Sequence, residues 1–296
     1  MSVEYSKYNK GELLHDKYLK IHDISEGSFG IVSLAKDVTN NNKLVAVKYI
    51  TQLPNDQSDS EQEEENEENE DEDVARHNKI NEDTDDDNDT ELPQSRLKKK
   101  NAKKLISRSV ILREAEQEIR VLQRIGQHPY ITELYDSFDE FIIMEYCSRG
   151  DLYDAIRTNM VPVSTKDVVD SFLQLISAVE YAHSIGIYHR DIKPENILID
   201  DDWSLKLTDW GLATDQKFCT DFDVGSERYM APELLSHEDI DVYDAEKVDI
   251  WSLGICLLNV VFGKNPFTSA SEKDKLFMHF ASNREALFDI FPKIYK

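Results

Sequence analysis

Cysteine is scarce: Cys147, Cys219 and Cys256 are the whole complement. They are odd in number and far apart, so neither a disulfide framework nor a paired zinc site is encoded. A reducing compartment follows, and the cytoplasm is the expected location. The N-terminus, MSVEYSKYNKGELL, lacks a basic start followed by an apolar run, so no secretory signal is visible. Long hydrophobic runs are also missing. The longest, Ile250 to Phe262, is too short to span a bilayer and follows Asp249 directly, so it reads as a buried helix. No internal repeat is apparent. Positive charge is outnumbered, with 34 Lys and Arg against 59 Asp and Glu and a formal net charge of −25. An acidic chain repels phosphate backbones and anionic lipid, which argues against nucleic acid and membrane as partners.

The acidity is local. Between Asp56 and Glu91 stand 19 Asp or Glu against only Arg76 and Lys79, which leaves about −8 for the rest, an ordinary value for a soluble domain. Forty per cent hydrophobic content in 296 residues suffices for a sizeable core. Residues 1–17 read as an N-terminal tail. From Tyr18 to Ile50 an alternating, β-branched pattern with a glycine turn at Gly27 and Gly30 predicts antiparallel strands. Residues 53–95 lose aromatics and periodicity, a composition that cannot offset its ordering entropy by burial, and predict a disordered insert. The basic run at Arg96 to Arg108 reads as a solvated helix entry, with a nuclear address as the alternative. A helix follows through Ile125, its face marked by Ile111, Ala115, Ile119 and Leu122. Beyond Glu145 helical periods dominate, notably Ser164 to Ser184 and Asp249 to Phe262. The expected fold is α+β and bilobal: a small antiparallel-sheet lobe with its hinge over 18–147, then a larger helical lobe over 148–296.

Several segments carry parts that phosphoryl transfer needs, where positioning and charge neutralisation supply most of the rate. ISEGSFGIV at Ile24 to Val32 offers a flexible backbone lid for phosphates, with Ser25, Gly27, Gly30 and Val32 on the pattern GxGxxGxV. Lys48 in VAVK is a cation in a strand, and Glu118 in QEIRVL is favoured over Glu114 as its carboxylate partner. The densest signal is YHRDIKPENILID at Tyr188 to Asp200. It packs Asp191 for an incoming hydroxyl, Lys193 for a transferring phosphate and Asn196 for metal into one loop. Thirteen residues past Asn196 comes DWG, where Asp209 can chelate Mg²⁺. GSERYMAPE closes the segment at Gly225 to Glu233.

With these motifs in this order, the chain resembles the eukaryotic protein kinase superfamily from about Tyr18 to its C-terminus. Lys193 and Ser226 imply the serine/threonine type. DWGLAT, GSERYMAPELL and GKNPF resemble a fungal subgroup of meiosis-controlling and glucose-response suppressor kinases. The resemblance implies ATP and Mg²⁺ as cofactors, protein substrates with Ser or Thr acceptors, a monomer, and a role in nutrient or developmental signalling. It implies Met144 at the gatekeeper position, adenine paired by the backbone of Glu145 and Cys147, and Asp151 at the ribose. Val32, Ala46 and Leu198 would sandwich the adenine, and Leu122, Leu134, His189 and Trp210 would stack as a hydrophobic spine. Asp249 would cap the catalytic-loop backbone, and Arg190 would need an anion: phosphorylated Thr220, or Asp221 or Asp223 in its place. The departures are Ser25 for the first lid glycine, Trp210 for phenylalanine, and a C-terminal lobe that reads as truncated, with no arginine matched to Glu233. A pseudokinase scaffold or an inactive truncated kinase is the competing reading, but Lys48, Asp191 and Asp209 are all present.

Overall fold

A computed structural model of the chain describes residues 8–27, 30–49, 108–160, 164–235, 240–283 and 285–291. The chain divides into two units, residues 1–51 with 108–296, and residues 52–107. The predicted acidic insert and the basic run up to residue 107 lie outside the described residues, as do Ser28 and Phe29 of the lid.

The first lobe is built on β1 (Leu13–Leu14), β2 (Tyr18–Gly27), β3 (Gly30–Asp37), β4 (Lys43–Tyr49), β5 (Leu134–Phe138) and β6 (Phe141–Glu145). They form one sheet in the order β1-β2-β3-β4-β6-β5, every pair antiparallel. Alternation along the strands explains the layering, because successive side chains point to opposite faces. Val45, Val47 and Tyr49 of β4 and Phe141 and Ile143 of β6 join Tyr8 and Tyr18 in an outer cluster. Ile142 and Met144 turn the other way, into the core shared with helix α1 (Arg108–Ile125). Lys48 lies in register with Ile142 and so shares that inner face. The face of α1 is as the spacing predicts: Ala115 and Leu122 are buried and Ile119 packs on the core, while the Ile111 side chain lies outside the described residues.

Residues 8–17 are not a tail. Leu13 and Leu14 pair with Leu19 and Tyr18, and Tyr8 is 3% exposed. Its ring meets Tyr49 and Phe141 edge-on, and its hydroxyl donates to the Tyr18 carbonyl at 2.6 Å. Aromatic packing with one satisfied polar end closes the outer face of the sheet, which a two-residue strand does not reveal in a sequence.

The second lobe comprises α2 (Leu152–Arg157), α3 (Thr165–Ser184), β7 (Ile197–Ile199), β8 (Leu205–Leu207), β9 (Phe218–Cys219), α4 (Pro232–Leu235), β10 (Tyr243–Asp244), α5 (Ala245–Phe262), α6 (Lys275–Ser282) and α7 (Ala286–Ile290). Ser164 caps α3 by accepting from Asp167 N. Helix α5 starts four residues before the predicted Asp249 because Asp244 serves as its cap, accepting from Glu246 N. Gly263, at φ 71°, ends α5 in the left-handed conformation that glycine adopts without strain. Among the described residues, no helix is long and apolar enough to cross a membrane.

Asp274 caps α6 and ties it to the preceding loop. One oxygen accepts from Leu276 N and Phe277 N, the other from the Thr268 hydroxyl and amide and from Ser269 N. Burial opposes the charged form, but the bonds from Thr268, Phe277 and Ser269 outweigh it and hold the carboxyl down to about 2. A depressed folded-state pKa contributes stability above the unfolded value of about 4 that is lost as pH falls toward 2. Asp274→Ala is therefore expected to cost about 1–2 kcal/mol at pH 6. In urea titrations the gap between variant and wild type should narrow as pH falls to 2.5; a gap independent of pH would refute the assignment.

Candidate active site

The β2–β3 hairpin forms the roof. Ser25 lies opposite Val32 and Gly27 opposite Gly30, with Gly30 at φ 125°, a conformation open to glycine. A cleft of about 460 Å³ opens beneath it. Ser25, Val32, Ala46, Lys48, Met144, Glu145, Cys147, Asp151, Asn196, Leu198 and Asp209 all line it. Gly27 and Gly30 sit at the hairpin tip instead. Ile24, Tyr146, Glu195 and Thr208 also line the cleft and were not picked out from the sequence; the signal available for Ile24 was its apolar side chain beside the lid. Asp151 has a second task as the cap of α2, accepting from Asp154 N at 2.8 Å. Burial, then the Glu145 carboxylate, pushes the Cys147 thiol up to about 12, and the buried side chain forms part of the cleft wall. A second, more apolar cavity of about 310 Å³, lined by Leu152, Phe172, Trp203 and Leu205 among others, contains none of the predicted residues.

Lys48 Nζ lies 2.8 and 2.7 Å from the two oxygens of Glu118 and 2.7 Å from Asp209 Oδ1. The predicted Lys48–Glu118 pair is thus formed, while the Glu114 side chain lies outside the described residues. Burial works against the ammonium, yet the two carboxylates outweigh it and hold the Lys48 pKa above the ordinary lysine value. Burial pushes Glu118 up with Lys48 opposing. At Asp209 the opposing charge of Lys48 prevails over burial and keeps the carboxyl below its usual range.

The loop after α3 is held from below. Asp249 Oδ2 accepts from His189 N at 2.8 Å and Oδ1 from Arg190 N at 2.7 Å, and His183 Nε2 lies 2.8 Å from Oδ2. His189 donates through Nε2 to Thr208 O at 2.9 Å and accepts at Nδ1 from Asp191 N at 3.2 Å. That pattern defines its neutral tautomer and links the loop to the strand leading into Asp209. Trp210 is fully buried against His189, ring centroids 4.6 Å apart, in the core that contains Leu122 and packs Leu134. Asp191 Oδ2 meets Lys193 Nζ at 2.9 Å and Asn196 Nδ2 at 3.1 Å. Lys193 also donates to Ser226 Oγ at 2.7 Å. Asp191 Oδ1 is buried with no hydrogen-bond partner among the described residues. Gly225, at φ 106°, passes so close that a Cβ would stand 2.5 Å from Arg190 O, so no other residue fits there.

Arg190 Nη1 donates to Asp221 Oδ2 at 2.6 Å and to Tyr243 Oη at 3.0 Å, and Nε to Leu212 O at 2.9 Å. Of the two carboxylates weighed from the sequence, Asp221 reaches the guanidinium; Tyr243, which also lies 3.4 Å from Asp221 Oδ1, was not foreseen. Burial opposes the cation, but Asp221 and Tyr243 raise the Arg190 pKa. Asp221 is partly exposed, so the pair is worth about 1 kcal/mol. Phosphatase-treated protein is expected to keep most of its activity, while Asp221→Asn loses about three- to tenfold, the kinetic equivalent of that energy. Silencing by phosphatase, reproduced by Thr220→Ala, would refute this. Glu233, for which the sequence offered no matching arginine, is partly buried and has no ion pair among the described residues.

A two-lobed α+β body, with a glycine hairpin roofing a cleft and a lysine–glutamate pair facing a carboxylate loop, defines the protein kinase class. The protein kinase domain family matches residues 90–294, and the chain belongs to it. The serine/threonine-protein kinase KSP1 of Saccharomyces cerevisiae is 49% identical over 98% of this chain and 30% of its own length. The serine/threonine-protein kinase ksp1 of Schizosaccharomyces pombe is 41% identical over 60% of this chain and 40% of its own. A negative regulator of sexual conjugation and meiosis from the same yeast is 35% identical over 60% and 43%. The chain spans less than half the length of each of these relatives. The fungal, meiosis-related neighbourhood expected from the sequence is the one found.

Proposed function

We propose that this chain transfers the γ-phosphate of Mg·ATP to serine or threonine hydroxyls of protein substrates, in nutrient or developmental signalling. The observation that carries the reading is the buried, unpartnered Asp191 Oδ1, since an orphaned acceptor costs free energy unless something meets it. An acceptor hydroxyl is what fits: its proton goes to Asp191 as the oxygen attacks. Lys193, held between Asp191 and Ser226, neutralises charge on the group in transit. Lys48, locked by Glu118, grips the α- and β-phosphates.

The residues present fit Mg²⁺ and ATP. Asn196 commits its Nδ2 to Asp191, which leaves its carbonyl oxygen as a ligand beside the Asp209 carboxylate. Two protein ligands suit a cation completed by phosphate oxygens and water. Bound there, Mg²⁺ supplies charge neutralisation. Val32, Ala46 and Leu198 supply apolar surface for adenine, with the backbone of Glu145 and Cys147 at the rim. The test is label transfer from ATP to mixed acidic and basic peptides, with and without Mg²⁺. No Mg²⁺-dependent transfer, from a chain shown to be folded, would favour a binding scaffold.

A further inference from the structure

Lys206 belongs to no motif singled out in the sequence, yet it lies under the hinge. Its Nζ stands 2.8 Å from Glu145 Oε1 and 3.9 Å from Asp200 Oδ2. The side chains of Lys206 and Glu145 are 11% and 18% exposed, so the pair is largely withdrawn from water and worth more than a surface pair. Lys206 sits in β8 directly opposite Leu198 of β7, and cross-strand partners share a face. One cation therefore joins the floor of the cleft, at Leu198, to the last residue of β6. Glu145 is anchored on its other side too: its Oε2 accepts from Glu133 N at 3.3 Å, and its own amide donates to Glu133 O at 2.9 Å.

Beyond the hinge the chain is tied down again. Arg149 N donates to Ile199 O at 3.2 Å, Ile199 N to Gly150 O at 2.9 Å, and Asp151 bridges to Leu198. Tyr146 and Cys147 lie between these two anchors. The later one is backbone pairing, which side-chain substitution leaves in place. At the earlier one the backbone of Glu145 is held within its own lobe by β4 and Glu133, and the tie of its side chain to the other lobe is the Lys206 ammonium.

We propose that Lys206 is a positioning residue for the nucleotide: by gripping Glu145 it sets the height of the hinge backbone over Leu198, so that adenine meets preset donors and acceptors. The inference rests on the nucleotide reading above. Preorganised polar groups bind more tightly than groups that must be ordered on binding, so loss of the pair should appear as lost affinity.

The experiment measures the Kd of a fluorescent ADP analogue, without acceptor peptide, for wild type, Lys206→Met, Lys206→Arg, Glu145→Gln and the Lys206→Met/Glu145→Gln double variant. Lys206→Met and Glu145→Gln should each weaken binding about tenfold, and the double variant no more than either, because each abolishes the charge attraction of the same pair, the Gln oxygen keeping at most a neutral hydrogen bond. Lys206→Arg should bind within about threefold of wild type, keeping the charge. In steady state, Lys206→Met should raise the KM for ATP by more than it lowers kcat, the mark of lost binding and not of lost chemistry. Lys206→Met binding as wild type does, or single effects that add in the double variant, would overturn the proposal. If Lys206→Met does not fold, Glu145→Gln decides: wild-type affinity there overturns it equally. A wild-type chain that fails to bind the analogue refutes the nucleotide reading itself, and the proposal with it.

Discussion

Asp191→Asn is expected to lower kcat by about 10²–10⁴-fold, the usual effect of a positioned base, while nucleotide affinity changes by no more than about twofold. Asparagine preserves the volume and one oxygen, so Lys193 and the Asn196 amide retain a partner in place of Oδ2. What it loses is the capacity to take a proton at the position where Oδ1 stands buried and unpartnered. On the proposed reading Asp191 would contact the transition state and make little ground-state contact with nucleotide, so the loss should fall on turnover. Paired measurement of peptide phosphorylation and ADP-analogue binding checks this. Retention of more than about a tenth of the rate, against that expected range, would show that another group orients the hydroxyl.

Lys48→Met is expected to abolish transfer and to destabilise the fold, for separable reasons. The Glu118 side chain is 2% exposed and receives both its close charge contacts from Lys48. Removing one partner of a buried pair leaves an uncompensated charge, at about 3–5 kcal/mol, a large share of a domain's net stability. Adding Glu118→Gln to Lys48→Met should recover most of that stability, because a neutral amide leaves no uncompensated charge at the buried position. It should recover no transfer, since the cation proposed to grip the phosphates is still missing. Denaturation midpoints alongside activity test this. A double variant as unstable as Lys48→Met would refute the buried-charge explanation.

The parts that were legible are short and local. Tyr188 to Asp200 holds a base, a cation and an amide within one loop, so their types and spacing alone announced the chemistry. Lys48 was legible from its place in VAVK downstream of the lid, and Glu118 from QEIRVL on the helix that follows, where a lysine needs a carboxylate partner. The β1 strand was not legible, since its worth lies in Tyr8 packing on Tyr49 and Phe141, residues distant in sequence. Nor was the hinge latch: Lys206 and Glu145 are each unremarkable, and 61 positions separate them.

Asp221 against Asp223 shows where the division falls. Composition and spacing established that a carboxylate stands near Thr220, but the two aspartates are two residues apart in a loop with no periodicity to aim them. The pairing of β9 with β10, Cys219 against Tyr243, brings the Tyr243 hydroxyl to Arg190 and presents Asp221 to the same guanidinium. By itself, then, the sequence determined the class of chemistry and the residue types that carry it, because those are properties of contiguous segments. Which side chains meet across lobes and loops was decided only by the tertiary structure, because hydrogen-bond and ion-pair geometry is set by distances of a few ångströms that separation along the chain does not encode.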